Sequence, residues 1–160
     1  GCIAVTLARL IPGARVTAVD ISEKALSIAR ENARRLDAEV DFRQGDALGE
    51  LFPGQREQFD LIVSNPPYIP SQVIEGLEPE VKDHEPRMAL DGEPDGLKFY
   101  RILAEEGKKY LKNGGEIYME IGWDQAKDVT KIFETMGFKG LRTVRDMTGN
   151  DRVVCARKEK

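Results

Sequence analysis

The fold is decided by the stretch Phe59-Asp60-Leu61-Ile62-Val63, which leads directly into Ser64-Asn65-Pro66-Pro67-Tyr68. The apolar run within it is typical of a strand that is buried on both faces, as strands of parallel sheets are. The polar residues and prolines that follow stand at the carboxyl end of that strand, where open α/β sheets bind their ligands. The stretch therefore predicts a parallel sheet with a candidate site at one edge.

Outward from this stretch, strand patterns alternate with helix patterns. Upstream we predict a short buried helix over Cys2–Leu10, a strand over Val16–Asp20, a helix from the Ser22 N-cap to Leu36 and a strand over Val40–Arg43. Downstream we predict a helix over Leu97–Leu111 that ends at Asn113-Gly114-Gly115, a strand over Glu116–Ile121, a helix over Gln125–Met136, and a closing antiparallel pair over Gly140–Arg145 and Asp151–Ala156. This alternation predicts an α/β fold: a doubly wound, Rossmann-like sheet, mostly parallel, with an antiparallel C-terminal strand.

The segment Ser64–Asp95 interrupts the alternation. It shows no sustained period and contains six of the eight prolines. A structureless loop longer than about 15 residues inside a compact domain is usually functional or disordered. We interpret this one as functional, because residues such as Tyr68, Ile74 and Leu77 are too apolar for a free linker. The alternative is a merely irregular loop.

The composition describes one soluble domain of 160 residues and excludes several kinds of site. A formal charge of −4 argues against a protein that grips nucleic acid mainly by charge. One histidine, His84, and two cysteines cannot form a Cys/His zinc cluster, so we expect no metal. The distant Cys2 and Cys155 indicate a reducing cytoplasm, and no apolar run approaches the roughly 20 residues of a membrane-spanning helix.

Three polar positions follow predicted strands: Asp20, Asp46 and Asn65. We expect all three along one edge of the sheet. A carboxylate in the place of Asp20 binds the vicinal hydroxyls of a nucleotide ribose, although acids at strand ends also cap helices or lie in solvent. Asp46 is a weaker candidate because Gly-Asp is a common turn. Gly1 matches the last glycine of a glycine-rich loop that approaches a phosphate or a cofactor, but a single glycine does not identify such a loop.

The tetrapeptide Asn65-Pro66-Pro67-Tyr68 presents hydrogen-bond acceptors rigidly. Each proline fixes its own φ and removes an N–H donor, which leaves the Pro66 carbonyl and the Asn65 amide to receive donors. A planar NH2 group fits between two such acceptors, and the Tyr68 ring offers a flat amide or base a face to stack on. The alternative interpretation is a Pro-Pro turn with a buried tyrosine.

This tetrapeptide resembles the active-site motif of class I S-adenosylmethionine-dependent methyltransferases that methylate a planar nitrogen, either adenine N6 or glutamine N5. Nearly the whole chain resembles one family among them, the release factor glutamine methyltransferases, often called HemK-like. The segments that carry the resemblance are Gly1-Cys2-Ile3-Ala4, Ala18-Val19-Asp20, Gly45-Asp46-Ala47, Ile69-Pro70, Glu85-Pro86-Arg87, Asp95-Gly96-Leu97, Met119-Glu120-Ile121-Gly122-Trp123 and Asp146 to Arg152. The tetrapeptide and the Glu-Pro-Arg block are the most specific of them.

The resemblance implies a cofactor and a protein partner. The cofactor is S-adenosylmethionine, and the partner is a peptide chain release factor whose Gly-Gly-Gln loop carries the target glutamine. Gly1 would approach the methionine part of the cofactor, and Asp20 would bind the ribose hydroxyls. Asp46 and Ala47 would flank the adenine.

The same resemblance implies the roles of the tetrapeptide. Asn65 would border the cofactor as well as the substrate, and Asn65 and the Pro66 carbonyl would accept hydrogen bonds from the glutamine NH2 group. Pro67 and Tyr68 would pack against the amide. Arg87 would hold the long loop or the substrate backbone, with an ordinary surface ion pair as the alternative.

The sequence departs from the family pattern at its start. The 160 residues lack the family's first strand, most of its glycine-rich loop and its amino-terminal helical domain, so we interpret residues 1–160 as the catalytic domain and expect weak cofactor binding. An adenine-N6 methyltransferase acting on DNA or RNA is the nearest alternative, which the charge of −4 and the Glu85 to Gly92 block disfavour. A non-catalytic fragment that retains the fold is the other.

Overall fold

Helices and strands alternate along the chain in the computed structural model, which describes residues 1–46, 56–82 and 84–159. The helices are α1 (Cys2–Leu10), α2 (Glu23–Arg35), α3 (Ser71–Ile74), α4 (Pro79–Lys82), α5 (Arg87–Leu90), α6 (Lys98–Tyr110) and α7 (Ala126–Thr135). The strands are β1 (Val16–Asp20), β2 (Val40–Gln44), β3 (Phe59–Ser64), β4 (Leu111–Glu120), β5 (Lys139–Arg145) and β6 (Asp151–Arg157). The chain divides into two compact units, Gly1–Pro53 and Gly54–Lys160.

The first unit is built on a parallel pair of strands. β1 pairs with β2 in a continuous register from Val16 opposite Val40 to Asp20 opposite Gln44. Parallel neighbours need a crossover, which α2 supplies. The side chain of Ser22 caps this helix as predicted, since its Oγ accepts a hydrogen bond from the Ala25 N–H at 3.2 Å.

Helix α1 has the predicted bounds, but its interpretation as a buried helix is wrong. Val5 is its one buried residue, whereas Ile3 and Leu10 are 44% and 74% exposed. A nine-residue helix turns one stripe toward its neighbours, here β1, β2 and α2. Ile3 and Leu10 therefore lie outside that stripe, and Ala4, Leu7 and Ala8 are only partly buried.

The second unit contains a four-stranded sheet in the order β3-β4-β6-β5. β3 and β4 are parallel, and β6 runs antiparallel to both β4 and β5. Three of the four strands thus share one direction, which confirms the predicted mostly parallel α/β sheet with a reversed C-terminal strand. The core of this unit includes Tyr100, Ile117, Phe133 and Val154, none of which has exposed surface.

The boundary between α6 and β4 differs from the prediction. The helix ends at Tyr110, before Asn113-Gly114-Gly115, and β4 begins at once with the buried Leu111, which pairs with Phe59. Two backbone hydrogen bonds hold the following residues to the end of the chain: Gly114 N–H to the Lys158 carbonyl at 2.8 Å, and Lys158 N–H to the Gly115 carbonyl at 2.9 Å. The helix thus ends one residue before its predicted end at Leu111, whereas β4 begins well before its predicted start at Glu116.

Strand β3 is buried on one face, whereas the apolar run predicts burial on both. Side chains alternate along a strand. Ile62 is 8% exposed and lies near Gly107 of α6, while Leu61 and Val63 on the opposite face are 39% and 38% exposed. The apolar run therefore marks the strand correctly but overstates how much of it is covered.

The long loop is more ordered than its irregular pattern suggests. It contains the three one-turn helices α3, α4 and α5, and a parallel β-bridge joins Ile69 to Asp91. Ile69 N–H donates to the Leu90 carbonyl at 3.0 Å, and Gly92 N–H donates to the Ile69 carbonyl at 2.9 Å. The loop thus folds back on the residue that follows Tyr68.

Candidate functional site

The predicted tetrapeptide lies where the sequence places it, directly after β3. Asn65 is exposed, Pro66 is buried, and Pro67 and Tyr68 are partly buried. Ser64 pairs with Met119 near the carboxyl end of β4. Because β6 is reversed, its first residues, not its last, reach the same edge, with Val153 opposite Glu120.

The side chain of Tyr68 points to a small charged cluster made by Glu120, Arg152 and Asp146. Its hydroxyl donates to Glu120 Oε1 at 3.5 Å. Arg152 Nη1 donates to the Ile121 carbonyl at 3.3 Å, and its Nε and Nη2 both reach Asp146 Oδ2 at 3.2 Å. The hydroxyl end of the Tyr68 ring is therefore oriented by Glu120 on β4, with Arg152 on β6 close by.

Burial, and then the negative charge of Glu120, raise the pKa of the Tyr68 hydroxyl above its ordinary value, while Arg152 lowers it by less. The hydroxyl is consequently neutral at physiological pH and can donate its proton to the Glu120 carboxylate. This leaves the ring of Tyr68 as an uncharged surface.

The backbone of Tyr68 is enclosed by two glycines of the long loop. A Cβ at Gly92 would meet the Tyr68 Cα at 2.9 Å. A Cβ at Gly96, where φ is +71°, would collide with the Tyr68 carbonyl oxygen and come within 2.7 Å of Gln125 Nε2. The close approach of these backbones needs glycine at both positions.

Arg87 belongs to a set of bonds that closes the long loop. Its Nη1 donates to Glu75 Oε1 at 2.9 Å and its Nε to Asp91 Oδ2 at 3.3 Å. Asp91 Oδ1 accepts from Ser71 Oγ at 2.6 Å and from Glu93 N–H at 2.9 Å. The Arg87 and Glu75 side chains are 56% and 62% exposed, so this contact is an ion pair at the surface that also joins two parts of the loop.

The acidic residues predicted to bind a nucleotide lie in the first unit. Asp20 is exposed at the end of β1, and its Oδ1 accepts from the Ser22 N–H at 2.8 Å. Gly45 N–H donates to the Asp20 carbonyl at 3.1 Å, so the ends of β1 and β2 bring Asp20 and Asp46 into one neighbourhood. Ala47, predicted to flank an adenine, lies outside the described residues.

Gly1 is exposed at the start of α1, where its carbonyl accepts from the Val5 N–H at 3.0 Å. A Cβ at this position would lie 2.6 Å from the Cβ of Ala29. The backbone of α1 thus approaches α2 at a distance that suits glycine.

One polar residue at the tetrapeptide was missed by reasoning from the sequence. The pattern predicts Gln125 as the first residue of a helix, and it is the N-cap of α7, but its side chain is also 8% exposed and reaches the Tyr68 carbonyl at 3.0 Å. The partners are 57 positions apart, so no local pattern reveals the contact. Its position after Glu120-Ile121-Gly122 is the one available signal.

Residues 1–46, 56–82 and 84–159 contain neither a cluster of metal ligands nor a membrane-spanning helix. No group of three or more His, Cys, Asp or Glu side chains among them is arranged to hold a metal ion. Within the same ranges no helix has the length and apolar character needed to cross a bilayer. His84 is exposed, as expected of a surface residue.

Known proteins resemble this chain over nearly all of its length. The release factor glutamine methyltransferase of Caulobacter vibrioides is 49% identical over 144 residues, which are 89% of this chain and 49% of that protein. The protein of the same name from Geobacter sulfurreducens is 47% identical over 157 residues, 98% of this chain and 54% of that protein. The chain spans about half the length of these curated relatives.

The fold has solved counterparts, and a family model describes it. The crystal structure of a methyltransferase from Pyrococcus furiosus matches with a TM-score of 0.69 at 21% identity, over 99% of this chain and 70% of that one. At this identity the likeness concerns the fold. The model of the methyltransferase domain matches residues 1–153. The chain therefore belongs to the methyltransferase domain family.

Proposed function

We propose that this chain is the catalytic part of a protein methyltransferase. The enzyme transfers a methyl group from S-adenosylmethionine to the side-chain amide nitrogen, N5, of the glutamine in the Gly-Gly-Gln loop of peptide chain release factors. One observation carries the proposal: Asn65-Pro66-Pro67-Tyr68 stands at the carboxyl end of β3, in a chain 47–49% identical to proteins named release factor glutamine methyltransferases.

The tetrapeptide supplies what an amide nucleophile needs. An amide nitrogen is weakly nucleophilic because its lone pair is delocalised into the carbonyl. The exposed Asn65 side-chain oxygen and the Pro66 carbonyl each accept one N–H of the substrate amide, which fixes the direction of the nitrogen and stabilises positive charge that develops on it. Tyr68 and Pro67 pack against the flat amide. Orientation of the two reacting atoms, rather than a cationic base, is the main catalytic contribution.

The first unit suits the cofactor. The exposed Asp20 carboxylate at the end of β1 accepts hydrogen bonds from a ribose diol, with Asp46 beside it and Ala47 next in sequence to border the adenine. Gly1 begins α1, and the first N–H groups of a helix attract a carboxylate such as that of the methionine part. When bound, S-adenosylmethionine would supply an electrophilic methyl group: the N–C bond would form as the C–S bond breaks, which leaves S-adenosylhomocysteine, and the proton lost by the amide would pass to water.

The remaining assignments follow from this function. We take residues 1–160 as one methyltransferase catalytic domain made of both units. The partner is the release factor itself, with no direct sequence-specific binding of nucleic acid. We place the enzyme in the cytoplasm, which agrees with two cysteines that are both free thiols, one exposed and one buried.

Methyl transfer from labelled S-adenosylmethionine tests the proposal. The protein as its gene encodes it is offered a release factor and, in parallel, a variant with alanine in place of the target glutamine. We expect label in the first substrate and none in the second. Equal labelling of both would remove the glutamine from the proposal, and labelling of DNA or RNA oligonucleotides at adenine would establish the alternative adenine-N6 activity.

A further inference from the structure

Gln125 is the one buried side chain with an amide or a charged group in the part of the chain that the structure describes, with 8% exposure. It stands at the start of α7, next to the carboxyl end of β4. A buried amide must find partners for both its oxygen and its NH2 group, or it costs free energy. The partners it finds belong to the candidate site.

The Gln125 amide joins three segments of the chain. Its Oε1 accepts from the Gly122 N–H at 2.9 Å. Its Nε2 donates to the Tyr68 carbonyl at 3.0 Å and to the Gly96 carbonyl at 3.3 Å. Tyr100 approaches Oε1 at 3.5 Å, but its hydroxyl proton is directed to the Glu120 carbonyl at 2.8 Å.

These partners fix which way the amide points. Gly122 N–H can only donate, and the carbonyls of Tyr68 and Gly96 can only accept. A turned amide would set its oxygen against two carbonyl oxygens and its NH2 group against an N–H. The Gln125 amide is packed closely against two glycines. A Cβ at Gly96 would lie 2.7 Å from Nε2, and a Cβ at Gly122 would lie 3.0 Å from Oε1.

The two prolines make this contact important for the site. Pro66-Pro67 is a stiff segment, so its orientation is set at its two ends. The upstream end is held by β3, where Ser64 pairs with Met119. The downstream end is held at Tyr68, whose carbonyl accepts from Gln125. The chain beyond Tyr68 is held separately by the bridge between Ile69 and Asp91. Loss of the Gln125 bond therefore frees the Tyr68 carbonyl itself and lets the stiff segment turn between β3 and that bridge.

We propose that Gln125 is a positioning residue: its side-chain NH2 group anchors the Tyr68 carbonyl and thereby aims the Pro66 carbonyl and the Tyr68 ring at the substrate amide. This inference rests on the proposed function. Gln125 itself does not touch the substrate. Its loss therefore acts on the rate of methyl transfer through the geometry of the tetrapeptide.

Gln125→Glu is the sharpest test, because glutamate has the same shape and keeps the acceptor for Gly122 N–H. Its ionised carboxylate sets an oxygen against the two carbonyls, whereas the protonated form can still donate to one of them. A displacement of about 1 Å at a reacting group costs about 10²-fold in rate. We expect kcat to fall by about that factor at high pH and to recover, relative to the parent protein, as pH is lowered. Gln125→Met, with neither donor nor charge, should lose kcat at every pH.

The matched control is Val129→Ala on the same helix. Val129 has no exposed surface, and its backbone N–H donates to the Gln125 carbonyl at 3.0 Å, a bond that the substitution keeps. This variant weakens the packing of α7 without touching the Gln125 side chain. We expect kcat per folded molecule to stay that of the parent, and the KM for S-adenosylmethionine to stay unchanged in all three variants.

A second readout does not depend on activity. Tyr-Ile occurs once in the 160 residues, at Tyr68-Ile69, so labelling tyrosine carbonyl carbons with ¹³C and isoleucine nitrogens with ¹⁵N gives one correlated NMR signal for this peptide bond. We expect Gln125→Met to shift that signal and Val129→Ala to leave it in place. An unmoved signal in Gln125→Met, or equal losses of kcat in Gln125→Met and Val129→Ala, would overturn the positioning role. If the parent protein methylates no glutamine, the proposed function fails, and the NMR signal still decides whether Gln125 anchors Tyr68.

Discussion

Asn65 carries the most direct prediction, because its side chain is exposed and can be changed without disturbing buried packing. Asn65→Ala removes an acceptor that we assign to the substrate NH2 group. Removal of one hydrogen-bonding group that stabilises developing charge, an oxyanion-hole donor, lowers kcat by about 10²–10³ in other enzymes. We expect the loss of the Asn65 acceptor to lower kcat by about the same factor. Affinity for S-adenosylmethionine should remain largely intact. Single-turnover methyl transfer and calorimetry measure the two quantities.

A control for this variant is Asn32→Ala, which changes another exposed asparagine, on α2. Substitutions at such surface positions change the free energy of unfolding by about 0.5 kcal/mol or less. This variant should therefore stay folded and keep both its turnover and its affinity for the cofactor. Turnover in Asn65→Ala equal to that of the parent would remove the role assigned to Asn65.

At the scale of elements, the long loop is held to the tetrapeptide by the close approach at Gly96. Gly96→Ala places a side chain in a left-handed conformation, which costs about 1–2 kcal/mol, and forces it into the Tyr68 carbonyl, at a further cost of about 1–3 kcal/mol. We expect the free energy of unfolding to fall by the sum of these effects. Urea denaturation, with the slope checked for two-state behaviour, measures it.

Gly114 offers the matched comparison, because its φ is +82° and a Cβ there would meet nothing within 4 Å. Gly114→Ala should therefore lose the conformational part alone, about 1–2 kcal/mol. Equal losses in the two variants would mean that the loop does not press on Tyr68 as the structure describes.

The elements also indicate how far local sequence signals reach. The start of α2 was predictable because Ser22 caps it through a contact three residues away. The start of β4 at Leu111 was not, because it depends on the pairing of Leu111 with Phe59, which is distant in the sequence. Local signals succeed where the deciding contact is local and fail where it joins distant segments.

The same distinction separates the parts of the candidate site. Asn65-Pro66-Pro67-Tyr68 was recognisable because four adjacent residues carry the chemistry. Gln125 was not, because its role depends on meeting Tyr68 across 57 positions of sequence. The Glu120 and Arg152 side chains near Tyr68 likewise come together only once β4 and β6 pair in register.

At the scale of the whole molecule, positive and negative side chains are mixed over the surface. The net charge is −4, and many surface cations lie against carboxylates, among them Arg30 with Glu23, Lys98 with Glu93 and Arg157 with Glu116. This arrangement does not favour a phosphate backbone. A protein that makes six to ten phosphate contacts loses about 10³–10⁵ in affinity between 50 and 200 mM salt.

We therefore expect the KM for the release factor to change by less than about tenfold between 50 and 200 mM salt. Salt screens exposed charges, but binding of the release factor requires few of them. Steady-state methyl transfer at several salt concentrations gives the slope. A labelled DNA duplex, followed by fluorescence anisotropy, provides the comparison. A steep slope together with tight binding to the duplex would support an enzyme that acts on nucleic acid.

The reversed direction of β6 has a practical consequence. The strand starts at the edge that bears the tetrapeptide and ends at Arg157, beside Glu116 in the middle of β4. Its seven residues span about 20 Å. A fluorophore or a surface linker attached beyond Arg157 would leave from the side opposite Asn65, so the protein can be immobilised there with its substrate-facing edge turned toward the solution.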